Sequence, residues 1–263
     1  MKSKEIIQYI TNWMIDYIEK SKMKGFIIGV SGGIDSAVVS TLIAKTKKKV
    51  LILEMPIHQQ NEQVIQSSNH IIWLKKQFKN VKSIKIDLTS SFDQLKNQFL
   101  NFNKKKEKLI QLSLANLRAR LRMLTLYYYA GINEYLVVGT GNKIEDFELG
   151  FFTKYGDGGV DLLPIADLLK SQIYKMAENL NIIESIKKAK PTDGLWDDNR
   201  TDEDQIGASY DELEWVINYK NKKNKIKTNL RQKKIIKIYN KIHQNIKHKI
   251  NPIPICKIPK KFL

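Results

Sequence analysis

Ile6, Ile7, Ile10, Met14, Tyr17 and Ile18 recur at helical spacing and predict an opening helix. Phe26-Ile27-Ile28-Gly29-Val30 is a short apolar run rich in β-formers, the pattern of a buried strand. It ends in Ser31-Gly32-Gly33, and Asp35-Ser36-Ala37-Val38-Val39 then opens a helix running to about Ala44. Val50-Leu51-Ile52-Leu53 reads as a second strand. Asn61 is expected to cap a helix whose apolar side carries Val64, Ile65, Ile71, Ile72 and Leu74. Ser83–Asp87 reads as a third strand, helices follow at 90–101 and 108–130, and Tyr135–Gly139 is a fourth strand. Strands alternating with helices imply right-handed crossovers, so the expected class is α/β: a doubly wound, mostly parallel sheet flanked by helices. Beyond Gly150 the pattern changes to a Gly- and Asp-rich loop at 151–168, a helix at 169–180, a charged loop at 187–205, and helices at 203–219 and 228–248. No internal repeat or linker interrupts 1–263, so one domain is expected; Asn103–Lys108 is its most exposed connection.

Composition narrows the class. With 42% hydrophobic residues the chain can bury a core. No apolar run approaches the length of a membrane span, so no membrane partner is expected. Met1–Glu5 lead into an amphipathic pattern rather than an apolar targeting core, and the single Cys256 gives no disulfide framework, so a reducing cytoplasm is the expected location. The formal net charge of +18 suggests a nucleic-acid footprint until it is placed on the chain. From Trp215 onward there are 15 Lys and Arg and no Asp or Glu, whereas residues 1–214 are nearly balanced. The excess is therefore a feature of a basic helical segment at 215–263. Only five of the basic residues are Arg, and abundant Lys, Ile and Asn point to a compositional habit of the source genome.

The sharpest chemistry lies in Gly29-Val30-Ser31-Gly32-Gly33-Ile34-Asp35-Ser36, after the first strand and at the start of a helix. This is the edge of a parallel sheet where ligands bind. Two glycines let backbone approach an anion, and the helix N-terminus favours negative charge. No Lys follows the second glycine, so this is not a Walker A loop. Asp35 beside phosphates would be repulsive without an intervening Mg²⁺. The segment resembles the PP-loop of the ATP pyrophosphatase superfamily, whose members cleave ATP to AMP and pyrophosphate.

A second motif, Val137–Asp146, again follows a strand and offers Thr140 to a phosphate or nucleotide and Glu145 as a second Mg²⁺ ligand beside Asp35. A third, Gly150–Asp161, packs glycines, aromatics, Lys154 and two Asp into a loop suited to binding. Together with Leu163-Pro164, Lys190–Leu195, Arg200–Glu203, Ala208–Leu213 and His248-Lys249, these resemble the ammonia-dependent NAD synthetase family over about residues 5–255. The resemblance implies the adenine nucleotide alpha hydrolase-like fold with C-terminal helices. It places ATP at Gly29–Ser36, Thr140, Lys170 and Thr192, and Mg²⁺ at Asp35 and Glu145. It places deamido-NAD at Arg120, Lys154, Asp161, His248 and Lys249. The segment between Glu145 and Gly150, here Asp146-Phe147-Glu148-Leu149, departs from the family pattern.

Arg118, Arg120 and Arg122 fall on one helix, where Arg suits a planar bidentate grip on phosphate or carboxylate. Spacing of two puts Arg118 and Arg120 on different faces, so at most one or two of the three reach a common ligand; Arg120 is the expected one, with mainly structural roles for Arg118 and Arg122. His58 and His70 have no metal-ligand partners in the pattern. The Tyr127-Tyr128-Tyr129 run fits helix packing, for which a subunit contact is one setting, better than a base-stacking platform. The resemblance implies a two-step ligation: the nicotinate carboxylate attacks ATP to give an adenylate and pyrophosphate, and ammonia then displaces AMP. No covalent nucleophile is expected, and a chain of this length leaves no room for a glutaminase domain, so free ammonia is the expected nitrogen source. A homodimer is implied. Two rival readings remain: a PP-loop tRNA-modifying ligase of the lysidine synthetase type, which the basic C-terminus would suit, and a non-catalytic nucleotide- or RNA-binding protein.

Overall fold

In a computed structural model that describes residues 1–99, 106–189, 202–221 and 227–262, four parallel strands form the sheet: β1 (Gly25–Gly29), β2 (Lys49–Glu54), β3 (Val81–Lys85) and β4 (Tyr135–Val137). Their spatial order is β3-β2-β1-β4, with Phe26 opposite Val50 and Leu136, and Val50 opposite Val81. The order reverses between β1 and β4, which makes the sheet doubly wound and opens a crevice at their carboxyl ends. The β3 strand sits two residues earlier than the sequence suggests. As the edge strand it buries only Val81 fully, so its apolar signal is weak.

Alternation along the strands sorts the core into two layers. Phe26, Ile28, Val50, Ile52 and Leu136 join the face covered by α1 (Ser3–Ser21), α2 (Ile34–Lys45), α3 (Asn61–Gln77) and α6 (Lys170–Asn179). Ile27, Leu51, Leu53 and Val137 join the other face, under α4 (Thr89–Phe99) and α5 (Glu107–Asn133). α2 is buried at Ile34 and from Ser36 through Ala44, and its small residues Ala37, Ser40, Thr41 and Ala44 permit close packing. Asn61, expected as a cap, is the first helical residue, and Gln60 is the N-cap.

Beyond β4 the chain runs through a π-helical turn at Lys143–Glu148 and the binding loop, where Val138 bridges Leu162. After α6 come α7 (Glu184–Lys187), α8 (Asp202–Ile206), α9 (Tyr210–Asn221), α10 (Leu230–Asn245) and α11 (Lys247–Ile250). The single helix expected at 203–219 is two, because Gly207 adopts φ +79 and Ser209 starts a new helix by exchanging hydrogen bonds with Glu212. α8, α9 and α10 share a third apolar cluster with Ile144 and Leu149 of the π turn. The basic C-terminal segment is thus packed onto the segment that carries Glu145. No helix among the described residues is long and apolar enough to cross a membrane.

His70 of α3 is fully buried, stacked on Trp73, with Nε2 2.9 Å from Ser40 Oγ. Ser40 gives its own proton to Ala37 O, so Nε2 carries the hydrogen and Nδ1 is a bare, unpartnered lone pair. Protonation would put a donor where no acceptor waits, and burial holds the imidazole down, to about 4. The unfolded chain takes up this proton below about pH 6.5, and the folded chain does not until about 4. Stability should therefore fall between these values, by about 2 kcal/mol from pH 7 to pH 5. Urea denaturation at both pH values should show this loss, and His70→Gln should lose correspondingly less. Equal losses in the two proteins would contradict the assignment.

Candidate active site

The crevice between β1 and β4 is filled from both sides. Gly32 adopts φ +88 and lies against the backbone of α3, where a side chain would meet Gln63 O and Ser67 N at 3.1 Å. That conformation turns the chain from β1 into α2. Ser31 Oγ accepts from Gly33 N–H at 3.2 Å, and Ser36 Oγ donates to Gly33 O at 2.9 Å. These bonds fix the loop while the first-turn N–H groups of α2, which helix geometry leaves without partners, stay directed outward. Across the crevice, Asn142 ends the β4 excursion. Its Oδ1 accepts from Glu145 N–H at 3.0 Å, and its Nδ2 donates to Asp35 Oδ1 at 3.3 Å.

Asp35 and Glu145 therefore converge, and Lys170 lies between them. Its Nζ donates to Asp35 Oδ2 at 2.6 Å and to Glu145 Oε1 at 2.8 Å, with the Lys170 side chain 4% exposed. Tyr210 OH donates to the same Glu145 oxygen at 2.5 Å. Burial and the neighbouring Glu145 raise the Asp35 carboxyl despite Lys170. Burial also pushes Glu145 upward, but Lys170, Tyr210 and Asn142 outweigh it and hold that carboxylate below its usual range. Burial disfavours the Lys170 ammonium, yet the two carboxylates more than restore it and hold its pKa above the ordinary value. Two hard oxygen ligands closing on one cation fit Mg²⁺ chemistry. Among the described residues no cluster of three or more His, Cys, Asp or Glu could hold a metal, so a metal here would need further oxygens from a ligand.

Asp35, Glu145 and Lys170 line a cavity of about 450 Å³ that also takes in the rest of Gly29–Ser36, Thr140, Asp146, Asp157, Arg122 and Lys249. Lys249 reaches it from α11, donating to Gly150 O and Phe152 O at 2.7 Å each, and burial lowers its pKa. Asp146 is held well above the carboxylate range by burial and by Asp157, Glu145 and Asp35. The residue also explains Gly141, since a Cβ there would lie 1.8 Å from Asp146 Oδ2.

The remaining expected residues among those described sit outside the cavity lining. Arg120 Nη2 donates to Lys154 O at 3.3 Å, and Lys154 Nζ donates to His248 O at 2.6 Å, so the three form one exposed chain. Asp161 accepts from Tyr127 OH at 3.0 Å and from Val137 N–H at 2.7 Å, which pins the binding loop to β4. Thr192 lies outside the described residues. Arg122, read from spacing as structural, lines the cavity while bonding Met55 O and Gln59 Oε1 at 3.0 Å, and burial and Arg118 lower its pKa to about 10. Asn142 and Tyr210 were not singled out by sequence, although both fall within the quoted motifs.

The family model for NAD synthase matches residues 6–252. The chain belongs to the NAD synthase family. It is 41% identical over 211 residues to an NH₃-dependent NAD⁺ synthetase of Mycoplasma genitalium, covering 80% of this chain and 82% of that one. Among solved structures it resembles the NMN synthetase of Francisella tularensis, at 30% identity, TM-score 0.83 and 99% coverage of both chains. It also resembles the NH₃-dependent NAD synthetase of Campylobacter jejuni, at 26% identity and TM-score 0.76, covering 98% of this chain and 100% of that one. The chain is thus a ligase that forms a C–N bond, and the tRNA-modifying alternative finds no match among these relatives.

The segment between Glu145 and Gly150 takes a defined conformation. The segment is a π turn in which Leu149 N–H reaches Ile144 O, and it delivers Gly150 at φ +60 against Ile246 of the C-terminal segment. A Cβ on Gly150 would meet Ile246 Cγ2 at 2.5 Å. Gly150→Ala should cost at least the about 1–2 kcal/mol of a left-handed L-residue. It should also speed amide exchange in 235–250 while leaving α1 and α2 protected. Unchanged urea stability would mean that Ile246 yields freely.

Proposed function

We propose that this chain is an ammonia-dependent NAD synthetase acting on deamido-NAD, ATP and ammonia, with the segment 215–263 serving the same catalytic unit as residues 1–214. The observation that carries this reading is the carboxylate pair of Asp35 and Glu145, closed on a cation beside the glycine loop, in one cavity with Lys249. Phosphoryl chemistry of this kind needs positioning and charge neutralisation more than a covalent nucleophile. The loop amides and Ser31 and Ser36 hold the triphosphate. Lys170 and Thr140 meet charge that develops as pyrophosphate leaves. Mg²⁺, when bound at Asp35 and Glu145, supplies Lewis-acid neutralisation of the phosphates. Lys249, Lys154, Arg120 and His248 form the cationic side that receives the second, anionic substrate, with Asp161 holding their loop. The cavity shields the activated carboxyl from water until ammonia attacks.

Purified protein with ATP, Mg²⁺, ammonium and deamido-NAD should release AMP, pyrophosphate and NAD in equal amounts, and glutamine alone should not replace ammonium. Asp35→Ala should abolish pyrophosphate release. Saturating substrates that yield no amidated product would sink the reading. The likeness to an NMN synthetase favours one second reading, in which the acceptor is the nicotinate mononucleotide. The ratio of kcat/KM for the two acceptors decides between them.

A homodimer is supported by the outer face of α5, where Leu124, Tyr128 and Ile132 form an exposed stripe at i, i+4 and i+8, and by the exposed Ile253, Ile255 and Phe262. Light scattering should give the mass of two chains, and Leu124→Glu combined with Tyr128→Glu should give one. A wild-type monomer at micromolar concentration would remove this part of the proposal.

A further inference from the structure

We propose that Lys170 works in two positions: it is the resident cation of the Asp35–Glu145 pair while no nucleotide is bound, and a metal arriving with ATP displaces it toward the phosphates. This extends the reading above, on which it rests for the identity of the incoming ligand.

Three observations carry it. The ammonium contacts one oxygen of each carboxylate at 2.6 and 2.8 Å, which is where a cation shared by both must lie. The pair needs such a cation, because two carboxylates converge on one point while only 16% and 17% exposed. Among the described residues, their other hydrogen-bond partners are an amide and a phenol, Asn142 and Tyr210, which carry no compensating charge. Finally, Lys170 is the first residue of α6 and its side chain lines the cavity beside the glycine loop. The ammonium can therefore leave the carboxylates for the loop without moving a helix.

Two cations cannot occupy the space between the same oxygens. A free divalent ion must expel the ammonium and brings no new anion for it, whereas a metal carried by ATP brings phosphates that accept it. Metal and nucleotide should thus bind as one unit, and metal alone should bind poorly.

The probe is Mn²⁺, followed by electron paramagnetic resonance on nucleotide-free full-length protein. Wild type should take up Mn²⁺ alone weakly, with no rise in Tm. Lys170→Met should bind Mn²⁺ alone roughly tenfold or more tightly, since the competing charge is gone. The variant should have a lower Tm in EDTA that Mn²⁺ restores, and should bind Mn²⁺ with ATP less tightly than wild type. Equal or weaker Mn²⁺ affinity in the variant overturns the proposal. Lys170→Gln repeats the test if the Met variant does not fold. If neither folds, wild type alone decides: Mn²⁺ bound as tightly without nucleotide as with a non-hydrolysable ATP analogue overturns it. The ammonium-dependent assay on the same wild-type sample separates the two claims. NAD formation with equal Mn²⁺ affinities leaves the ligase and removes the two-position lysine. Absent AMP release removes the ligase and leaves the ion exchange measurable.

Discussion

Two carboxylates are held together out of water at the mouth of this sheet, and much of the architecture exists to make that tolerable. Asp35 rides on the first turn of α2 and Glu145 on the π turn after β4, elements separated by more than a hundred residues but adjacent because the strand order reverses between β1 and β4. Like charges at such a place repel, and burial adds to the cost. Lys170 offsets both, and removing one partner from so enclosed a set would cost about 3–5 kcal/mol. The triad is not an efficient way to stabilise a fold, since an apolar packing of equal volume would do as well. Its use is to keep a cation-binding geometry assembled in advance, which is what phosphoryl chemistry asks of a protein.

The same constraint explains the C-terminal segment. Glu145 is positioned by a π turn whose apolar side, Ile144 and Leu149, would be exposed without α8, α9 and α10. Tyr210 of α9 touches Glu145 directly, while Tyr239 and His243 of α10 bond to Glu148. Helices at the far end of the chain therefore set the geometry of a carboxylate at its centre. The positive charge is carried by this packed segment, and Lys249 brings part of it into the cavity through the carbonyls of Gly150 and Phe152.

The sheet, its parallel winding and the glycine loop were legible in the sequence because each rests on a local signal. Central strands such as Ile27-Ile28 and Leu51-Ile52 are apolar on both faces, and a strand followed by Ser-Gly-Gly can turn in few ways. β3 was misplaced because an edge strand has little to bury. The break at Gly207 was missed because the apolar spacing on either side is consistent with one helix. Pairing of Asp35 with Glu145 came from chemistry and resemblance together. The positions of Arg122 and Asn142 did not, since a guanidinium bonded to a main-chain carbonyl from Met55 has no trace in spacing, and Asn142 acts by joining two motifs that sequence treats separately.

The split between residues that line the cavity and residues that do not follows from these constraints. On the proposed function, the glycine loop, Thr140 and Lys170 meet the nucleotide, and the fold brings them into one cavity within one chain. Arg120, Lys154, His248 and Asp161 are tied to one another or to β4, on the side from which α5 presents its exposed apolar stripe. A nucleotide site can be built around the switch point of one sheet, because the segments after β1 and β4 and the first residue of α6 meet there. A site for a second large anion has no such edge left to use. Placing it beside an uncovered helix face makes its enclosure depend on whatever covers that face, so that assembly and substrate capture would be coupled through α5.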